Sequence, residues 1–137
     1  MLRLLALLLA LSASAAAQHP LDRPANAPPA AERDVTLGGA SVVGRWHAVE
    51  VAGDVGATTD LARGTLTTVL VVNPTGHVIL RGTDTRHGRG APAAFSGHVA
   101  GGRVRFSRLD GAARLERHGR TLHLIDPGGR RTVFVRQ

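Results

Sequence analysis

Residues 93–136 read AAFSGHVAGGRVRFSRLDGAARLERHGRTLHLIDPGGRRTVFVR, a segment in which short runs alternate with glycine-containing turns. The runs are rich in Val, Leu, Thr and Phe, which favour strands, whereas glycine supplies the backbone conformations that tight hairpin turns require. The turns are Gly101-Gly102, Asp110-Gly111, His118-Gly119 and Pro127-Gly128-Gly129. We therefore predict five antiparallel strands over residues 93–100, 103–109, 112–117, 120–126 and 130–136.

These turns also predict a register, because loop length fixes which residues stand opposite one another. An odd slip would turn the apolar side chains to the other face of a strand, so agreement between successive turns tests the assignment. All four turns place the apolar side chains of successive strands on the same face of the sheet. The predicted pairs are Gly97–Phe106, Phe106–Leu115, Arg105–Glu116, Leu115–Leu122, Ala113–Leu124, Leu122–Phe134 and Leu124–Thr132, with the Phe106 ring covering Gly97.

Three more strands are predicted upstream, over residues 42–51, 65–73 and 77–83. Asn73-Pro74-Thr75-Gly76 has the sequence of a type I turn with a following bulge, and it sets Leu70 opposite Leu80. The connections 52–64 and 83–92 are interpreted as loops. Because a closed sheet has no open edge, we predict an all-β fold, an eight-stranded antiparallel up-and-down barrel.

The first strand carries a family resemblance. Gly44-Arg45-Trp46 resembles the Gly-x-Trp motif on the opening strand of lipocalins and fatty-acid-binding proteins, the calycin superfamily, and Arg136 resembles the arginine that packs over that tryptophan. The resemblance implies a lipocalin-like meander with one end closed by Trp46 and a ligand entering at the other. The chain departs from the family in its short length, in having no clear helix before the last strand and in lacking a helical lid between its first two strands.

The N-terminus predicts export. Arg3, an apolar run over residues 4–11 and an Ala-x-Ala sequence ending at Ala17 are typical of a signal peptide over residues 1–17. Its apolar core is shorter than the ~20 residues of a membrane span, so we expect no transmembrane anchor and a periplasmic or secreted protein. Residues 18–37, rich in Pro and Ala, are interpreted as a flexible tether before a barrel domain at 38–137.

The amino-acid composition excludes several classes of function. The absence of Cys excludes disulfides, thiolate catalysis and Cys-ligated metal centres. Net charge is +7, and +6 after removal of the signal peptide with Arg3, which favours anionic partners. Three Phe and one Trp offer few platforms for stacking bases, so nucleic acid is not expected. With no catalytic motif and no paired acids, we predict a protein that is not an enzyme and needs no cofactor.

The mouth opposite Trp46 is the predicted binding site. It is formed by segments 52–64, 84–92 and 126–130 with the Asp110-Gly111 turn. Strand parity points Arg108 inward there, where a guanidinium can grip a carboxylate through two hydrogen bonds. The alternative is that Arg108 pairs with inward-facing Glu50 and that the barrel is filled by its own side chains. The predicted ligand tail would lie among Leu70, Leu80, Phe95, Phe106, Leu124 and Phe134.

Two other groups of residues are candidate binding sites. His77 and His98 are predicted to stand opposite each other on the outer face, where a pair of imidazoles can share a metal or respond to pH; the alternative is solvated surface histidine. Residues 86–90, Arg-His-Gly-Arg-Gly, can hold an anion on backbone N–H groups, or can form a mobile loop. We predict no metal site.

Two hypotheses for function remain from the sequence. In the first, the barrel binds a small apolar or amphipathic molecule, possibly anionic. In the second, a filled barrel acts by its surface as a protein-binding or inhibitor module in the cell envelope. An enclosed apolar pocket of about 300 Å³ or more would favour the first, and an exposed apolar patch would favour the second. Outward-facing Val133, Val135 and Ile79 are the predicted members of such a patch.

Overall fold

The computed structural model describes residues 35–90 and 92–137. The predicted signal peptide and most of the predicted tether lie outside the described residues. The elements are β1 (Thr36–Leu37), β2 (Ala40–Ser41), β3 (Gly44–Val51), α1 (Val55–Arg63), β4 (Leu66–Val72), β5 (His77–Asp84), β6 (Ala93–Ala100), β7 (Arg103–Phe106), β8 (Ala113–His118), β9 (Thr121–Ile125) and β10 (Arg131–Arg136). The strand β1 falls within the segment predicted to be tether.

The predicted fold class is confirmed. Strands β3 to β10 form a closed antiparallel barrel in which each strand pairs with its neighbours in sequence and β10 pairs back with β3. The alternation of apolar and polar side chains explains this arrangement, because a strand turns successive side chains to opposite faces of the sheet. In β7, for example, Val104 and Phe106 are buried while Arg103 and Arg105 are exposed.

Several predicted registers are confirmed. Leu70 stands opposite Leu80, and Leu122 stands opposite Phe134. Gly97 stands opposite Phe106 across the β6–β7 hairpin. Both turn residues of that hairpin, Gly101 and Gly102, have positive φ values of 57° and 73°. Two successive positive φ values define the type I′ turn, whose twist matches that of the strands it joins.

The observed β7–β8 register differs from the predicted one. Phe106 does not face Leu115, nor does Arg105 face Glu116, because Val104 pairs with Ala113 instead. The predicted two-residue turn at Asp110-Gly111 is replaced by a six-residue loop over residues 107–112. The shift is four residues, an even number, so the apolar face is preserved although the partners change.

The β8–β9 register is a second correction, by two residues. His118 pairs with Thr121 and Leu115 pairs with Leu124, whereas the prediction had Leu115 opposite Leu122 and Ala113 opposite Leu124. The turn residues are Gly119 and Arg120, and Gly119 has a φ of 60°. This is the pattern of a type II′ turn, in which glycine takes the first central position.

The third correction is helix α1, which occupies part of the connection predicted as a loop. The Asp54 carboxylate accepts a hydrogen bond from the N–H of Ala57, and Gly64 ends the helix in the left-handed conformation with φ 76°. Both are strong local signals for helix ends. The segment 52–64 contains three glycines and two threonines, which are weak helix formers.

Loss of the cap is expected to destabilise the protein modestly. Asp54→Ala should lower the free energy of unfolding by about 1 kcal/mol, because the N–H of Ala57 loses its acceptor. Urea unfolding followed by circular dichroism measures the difference. Asp54→Asn is the matched control and should remain within about 0.5 kcal/mol of the wild type, since asparagine caps equally well. Equal losses in both variants would contradict the capping role.

The two ends of the barrel are covered by different elements. At one end Leu37 of the β1–β2 hairpin packs against the main core, and Val42, which follows that hairpin, is fully buried in it. At the other end α1 contributes Ala57 to a small cluster with Val51 and Leu66, and Leu61 packs against both this cluster and the main core. The interior is therefore enclosed from both sides.

Candidate functional site

Trp46 closes the barrel at the hairpin end. It is 1% exposed, and its indole N–H donates to the carbonyl of Val42 at 2.9 Å. The guanidinium carbon of Arg136 lies 4.6 Å from the ring centroid, which is the contact that the resemblance to lipocalins implies. Arg136 also donates to the carbonyls of Val43 at 3.2 Å and Ser41 at 3.1 Å.

Gly44 completes this end of the barrel. Its φ is 140°, and a side chain there would begin 3.4 Å from the Arg136 guanidinium nitrogen Nη1. Glycine therefore suits both the backbone conformation and the approach of the arginine to the tryptophan. Gly44, Trp46 and Arg136 form one cluster, as the sequence predicts, and the cluster is structural in its contacts.

The six apolar residues predicted to hold a ligand tail all lie in the main core. Leu70 and Phe134 expose none of their surface, and the other four expose 4–5%. These four are Leu80, Phe95, Phe106 and Leu124. Side chains that line a ligand pocket keep a face for the ligand, whereas these are covered by one another. This packing is that of a filled interior, which eight strands permit.

Glu50 does not face the interior, contrary to the prediction. The β3–β10 register shifts between Val133 and Phe134, which leaves Val49 as an extra residue in β3. Beyond this bulge the parity of β3 reverses, so that Val51 is buried while Glu50 is exposed. Such an extra residue cannot be deduced from the alternation of side chains. If the strand had no bulge, Glu50 would point inward together with Trp46 and Ala48.

Arg108 does not point into the barrel either. Strand β7 ends at Phe106, and Arg108 is exposed on the loop that follows. Its φ is 67°, the only positive φ at a non-glycine residue among those described. Arg108 instead lines an outer groove of about 280 Å³, which we call the Arg108 groove. The other lining residues are Ile79, Ala94, Phe95, Ser96 and Ser107.

Beside this groove lies an apolar area on the outer surface, which we call the valine face. It comprises Val49, Val69, Val71, Ile79, Val133 and Val135, the last two and Ile79 as predicted. The rows are continuous across strands, because His47 pairs with Val135 on one side and with Val69 on the other. Val71 pairs with Ile79, which is also a wall of the Arg108 groove. His47 Nδ1 is buried among these side chains without a hydrogen-bond partner.

Of the two arginines in the 86–90 segment, Arg86 is engaged within the protein. Arg86 donates to Asp84 at 2.6 Å and to Asp60 of α1 at 3.2 Å, which ties this loop to the helix. Burial disfavours the charged form of Asp84, but hydrogen bonds from Arg86 outweigh it and hold the pKa of the carboxyl below its ordinary value. Arg86 therefore braces the α1 end of the barrel, and its guanidinium is already paired with acids.

The two predicted histidines do stand opposite each other, since His77 pairs with His98 across β5 and β6. Asn73 lies within 3.5 Å of His77, and the His98 ring packs beside Gly76. Within residues 35–90 and 92–137, no group of three or more His, Cys, Asp or Glu side chains is arranged to hold a metal ion. The pair by itself supplies too few ligands for the usual protein metal sites.

A second histidine pair was not predicted. His118 and His123 stack with their ring centroids 4.2 Å apart, and His118 contacts Glu116 at 3.1 Å. Burial, together with the neighbouring His118 and Arg131, holds the pKa of His123 below its ordinary value of 6.5. The corrected β8–β9 register creates this pair, because His118 then lies beside the Thr121 end of β9.

His123 makes stability depend on pH. Its pKa is lowered by folding, so the unfolded chain binds a proton first and stability falls as pH drops below about 6.5. We expect the free energy of unfolding to be smaller near pH 5.5 than near pH 7.5, with the difference reduced in His123→Gln. Urea unfolding at both pH values measures this. His87→Gln, on an exposed loop, is the control and should keep the wild-type difference. An equal dependence in wild type and His123→Gln would contradict the assignment.

Among the described residues, no helix combines the length and apolar character that crossing a membrane requires. Comparison with protein-family models, with curated proteins and with solved structures gives no match for this chain.

Proposed function

We propose that the protein is an exported, lipocalin-like barrel that binds another protein of the cell envelope through the valine face and the Arg108 groove. The partner presents an apolar strip with a carboxylate at its edge. The observation that carries this proposal is the division of apolar surface: the interior is filled, while a second apolar area lies outside across β10, β3, β4 and β5.

The filled interior favours surface binding over an internal ligand. An internal ligand of ordinary size occupies about 300 Å³ or more. To admit one, the barrel would have to separate Leu70 and Phe134 from their neighbours, although both are fully buried. It would also have to move α1 from one end or the β1–β2 hairpin from the other. Each of these movements exposes apolar surface and so costs free energy.

The valine face supplies apolar contact area of the kind found in interfaces. Its six aliphatic side chains lie on the outer face of neighbouring strands; Val49 is 38% exposed at the bulge, and the other five are half-buried. Contiguous apolar patches on a soluble protein mark binding surfaces more often than scattered apolar residues do. Beta-branched side chains lose little rotamer freedom on burial, so this face is well suited to rigid docking.

The Arg108 groove supplies the polar anchor. The left-handed backbone at Arg108 is unfavourable for a side chain of this kind, and such strain tends to occur at functional sites. Two hydroxyls, those of Ser96 and Ser107, lie 3.3 Å apart in the same groove. The Ser107 hydroxyl donates to the Ser96 carbonyl at 3.1 Å, which leaves the Arg108 guanidinium and the Ser96 hydroxyl as donors for a carboxylate.

The charge of the barrel fits an acidic partner. Residues 35–137 contain fourteen Arg and seven Asp or Glu. Arg45 and Arg81 border the valine face, paired with Val71 and Val69 respectively. A basic surface accelerates encounter with an acidic one and orients it on approach.

Site-specific photo-crosslinking tests this proposal. A benzoylphenylalanine placed at Val71 or Ile79 in the exported protein, irradiated in the envelope fraction, is expected to give one discrete protein adduct. The same probe at Arg120, in the β8–β9 turn, should not give it. Arg108→Glu should reduce the adduct about tenfold or more, as expected when a charged hydrogen bond is reversed, whereas Arg89→Glu should leave it intact.

Two results would overturn the proposal. One is the lack of an adduct that is specific to the valine face. The other is native mass spectrometry of the exported protein that finds a stoichiometric small molecule, released only on denaturation and retained both in Arg108→Glu and in the double variant Arg103→Ala/Arg114→Ala. That second result would place the ligand in the interior and return the function to that of a carrier.

A further inference from the structure

We propose a second, separate binding site, a groove on the outer face of β7, β8 and β9 that takes a small molecule with one oxyanion on an apolar body. The groove has a volume of about 300 Å³. We call it the Arg103–Arg114 groove; it is lined by Arg103, Ala112, Arg114, Ile125, Asp126, Pro127 and Gly129. The inference does not depend on the proposed protein partner, because it uses different strands and different residues.

Two arginines stand directly opposite each other in this groove. Arg103 and Arg114 are cross-strand partners in the short β7–β8 pairing. Like charges in this position destabilise a sheet pair, so the arrangement favours an anion between or beside them. The predicted register would have placed Arg105 opposite Glu116, an attractive pair, whereas the observed register brings two guanidinium groups together.

Acidic side chains compensate this charge only in part. Arg114 pairs with Glu116 at 3.4 Å, but the arginine side chain is 61% exposed there, so the pairing is weak. Arg103 has no ion pair and no side-chain hydrogen bond among the described residues. A third arginine, Arg131, is the cross-strand partner of Ile125 on the other side.

One acid also lines the groove. The Asp126 carboxylate Oδ1 accepts the backbone N–H of Arg130 at 2.8 Å, which holds it within the β9–β10 turn. The lining therefore contains two cationic side chains, Arg103 and Arg114, and one anionic side chain, Asp126. Arg131 lies outside this lining. A ligand with a single negative charge suits this balance better than one with several.

The floor of the groove is apolar. Ile125 points away from the barrel interior, since Leu124 before it is part of the core, yet only 6% of Ile125 is exposed. It belongs to neither core cluster, and its cross-strand partners are Arg114 and Arg131. Pro127 forms one wall and packs beside Gly111 of the opposite loop. Pro127 and the small exposed part of Ile125 give the groove an apolar side next to the two arginines, so an amphipathic anion fits it better than an inorganic one.

The sequence offers an unusually direct test, because the chain has only two isoleucines. Ile125 forms the floor of this groove, and Ile79 lies in the Arg108 groove and the valine face. Selective ¹³C labelling of isoleucine methyl groups therefore gives one signal for each site. The probe is 2-naphthalenesulfonate, an amphipathic anion whose ring shifts the resonance of any methyl group it contacts. Naphthalene-2-sulfonamide is the uncharged match, and inorganic sulfate lacks the apolar body.

We expect the sulfonate to shift the Ile125 methyl signal saturably and to leave the Ile79 signal in place. The apparent Kd should rise about tenfold or more in the double variant Arg103→Ala/Arg114→Ala, because charge-assisted hydrogen bonds are lost. The double variant Arg89→Ala/Arg120→Ala removes the same charge from exposed loops and should bind as the wild type does. The sulfonamide and sulfate should both bind more weakly than the sulfonate.

Four outcomes would overturn the inference. The first is an unshifted Ile125 signal, and the second is an equal shift of both isoleucine signals, which would indicate general adsorption. The third is equal weakening in the two double variants, which would show that net charge alone attracts the anion. The fourth is that the sulfonamide or the sulfate binds as tightly as the sulfonate. That result would show that the negative charge, or the apolar body, does not contribute to binding. Because Ile79 reports on the other site, failure here is distinguishable from failure of the proposed protein binding.

Discussion

Replacing Trp46 with alanine is expected to lower the free energy of unfolding by about 3–5 kcal/mol, the range for large aromatic side chains removed from a core. Trp46 is 1% exposed, and its removal leaves a cavity at the closed end that the rigid barrel cannot collapse to fill. The Val42 carbonyl loses its indole donor, and Arg136 loses the ring on which it lies. All three losses act in the same direction.

The measurement is urea unfolding followed by circular dichroism, because Trp46 is the only tryptophan and its removal eliminates the intrinsic fluorescence signal. Trp46→Phe is the matched control: it keeps an aromatic ring but lacks the indole N–H, and we expect an intermediate loss. A loss below about 1 kcal/mol in Trp46→Ala, the cost typical of surface positions, would contradict the role assigned to the closed end.

Gly97→Ala is expected to destabilise the barrel by about 1–3 kcal/mol, the usual cost of inserting a methyl group into a packed region. A Cβ atom at Gly97 would overlap the Arg105 carbonyl oxygen of the neighbouring strand and lie 3.1 Å from Cδ1 of Phe106. The first of these is backbone, which cannot move aside without breaking the β6–β7 pairing. The glycine is therefore required by the close approach of the Arg105 backbone, with the Phe106 ring beside it, rather than by an unusual φ.

Gly56→Ala is the matched control for that substitution, since it adds the same methyl group within α1. Its nearest contact would be Asp54 Oδ1 at 3.5 Å, an ordinary van der Waals distance. Alanine is the better helix former, so Gly56→Ala should raise the free energy of unfolding by about 0.5–1 kcal/mol. Thermal unfolding of both variants gives the comparison. Gly97→Ala with wild-type stability would show that the ring of Phe106 and the β7 backbone can yield.

The outer surface, not the interior, is where this barrel differs from a simple packed fold. Two Arg-lined grooves of similar volume lie on different strands, one beside the valine face and one over Ile125. The predicted role of Arg108 as a carboxylate ligand is thereby moved from the mouth of the barrel to its exterior. Its chemistry is unchanged, but the partner that we propose for it is a protein surface rather than the head group of an enclosed ligand.

Sequence reasoning located the strands well because its signals are local. Alternation has a period of two, and the glycine turns mark each reversal, so the inward face of β6 to β10 was predicted correctly. The same reasoning missed α1, although Asp54 and Gly64 carry the cap signals. The two register errors are even-numbered shifts at the 107–112 loop and the Gly119 turn, which leave every face unchanged and therefore leave no trace in the alternation.

The sequence by itself determined the all-β class and the order and faces of the strands, because these follow from side-chain alternation and turn geometry. The contact of Trp46 with Arg136 was implied by the resemblance to lipocalins. Only the tertiary structure decided that the interior is filled, that a bulge at Val49 turns Glu50 outward, and that Arg103 meets Arg114. These depend on distances between strands, on the closure of the barrel and on single-residue insertions in the ladder. Such features depend on the sheet as a whole, and no window of sequence specifies them.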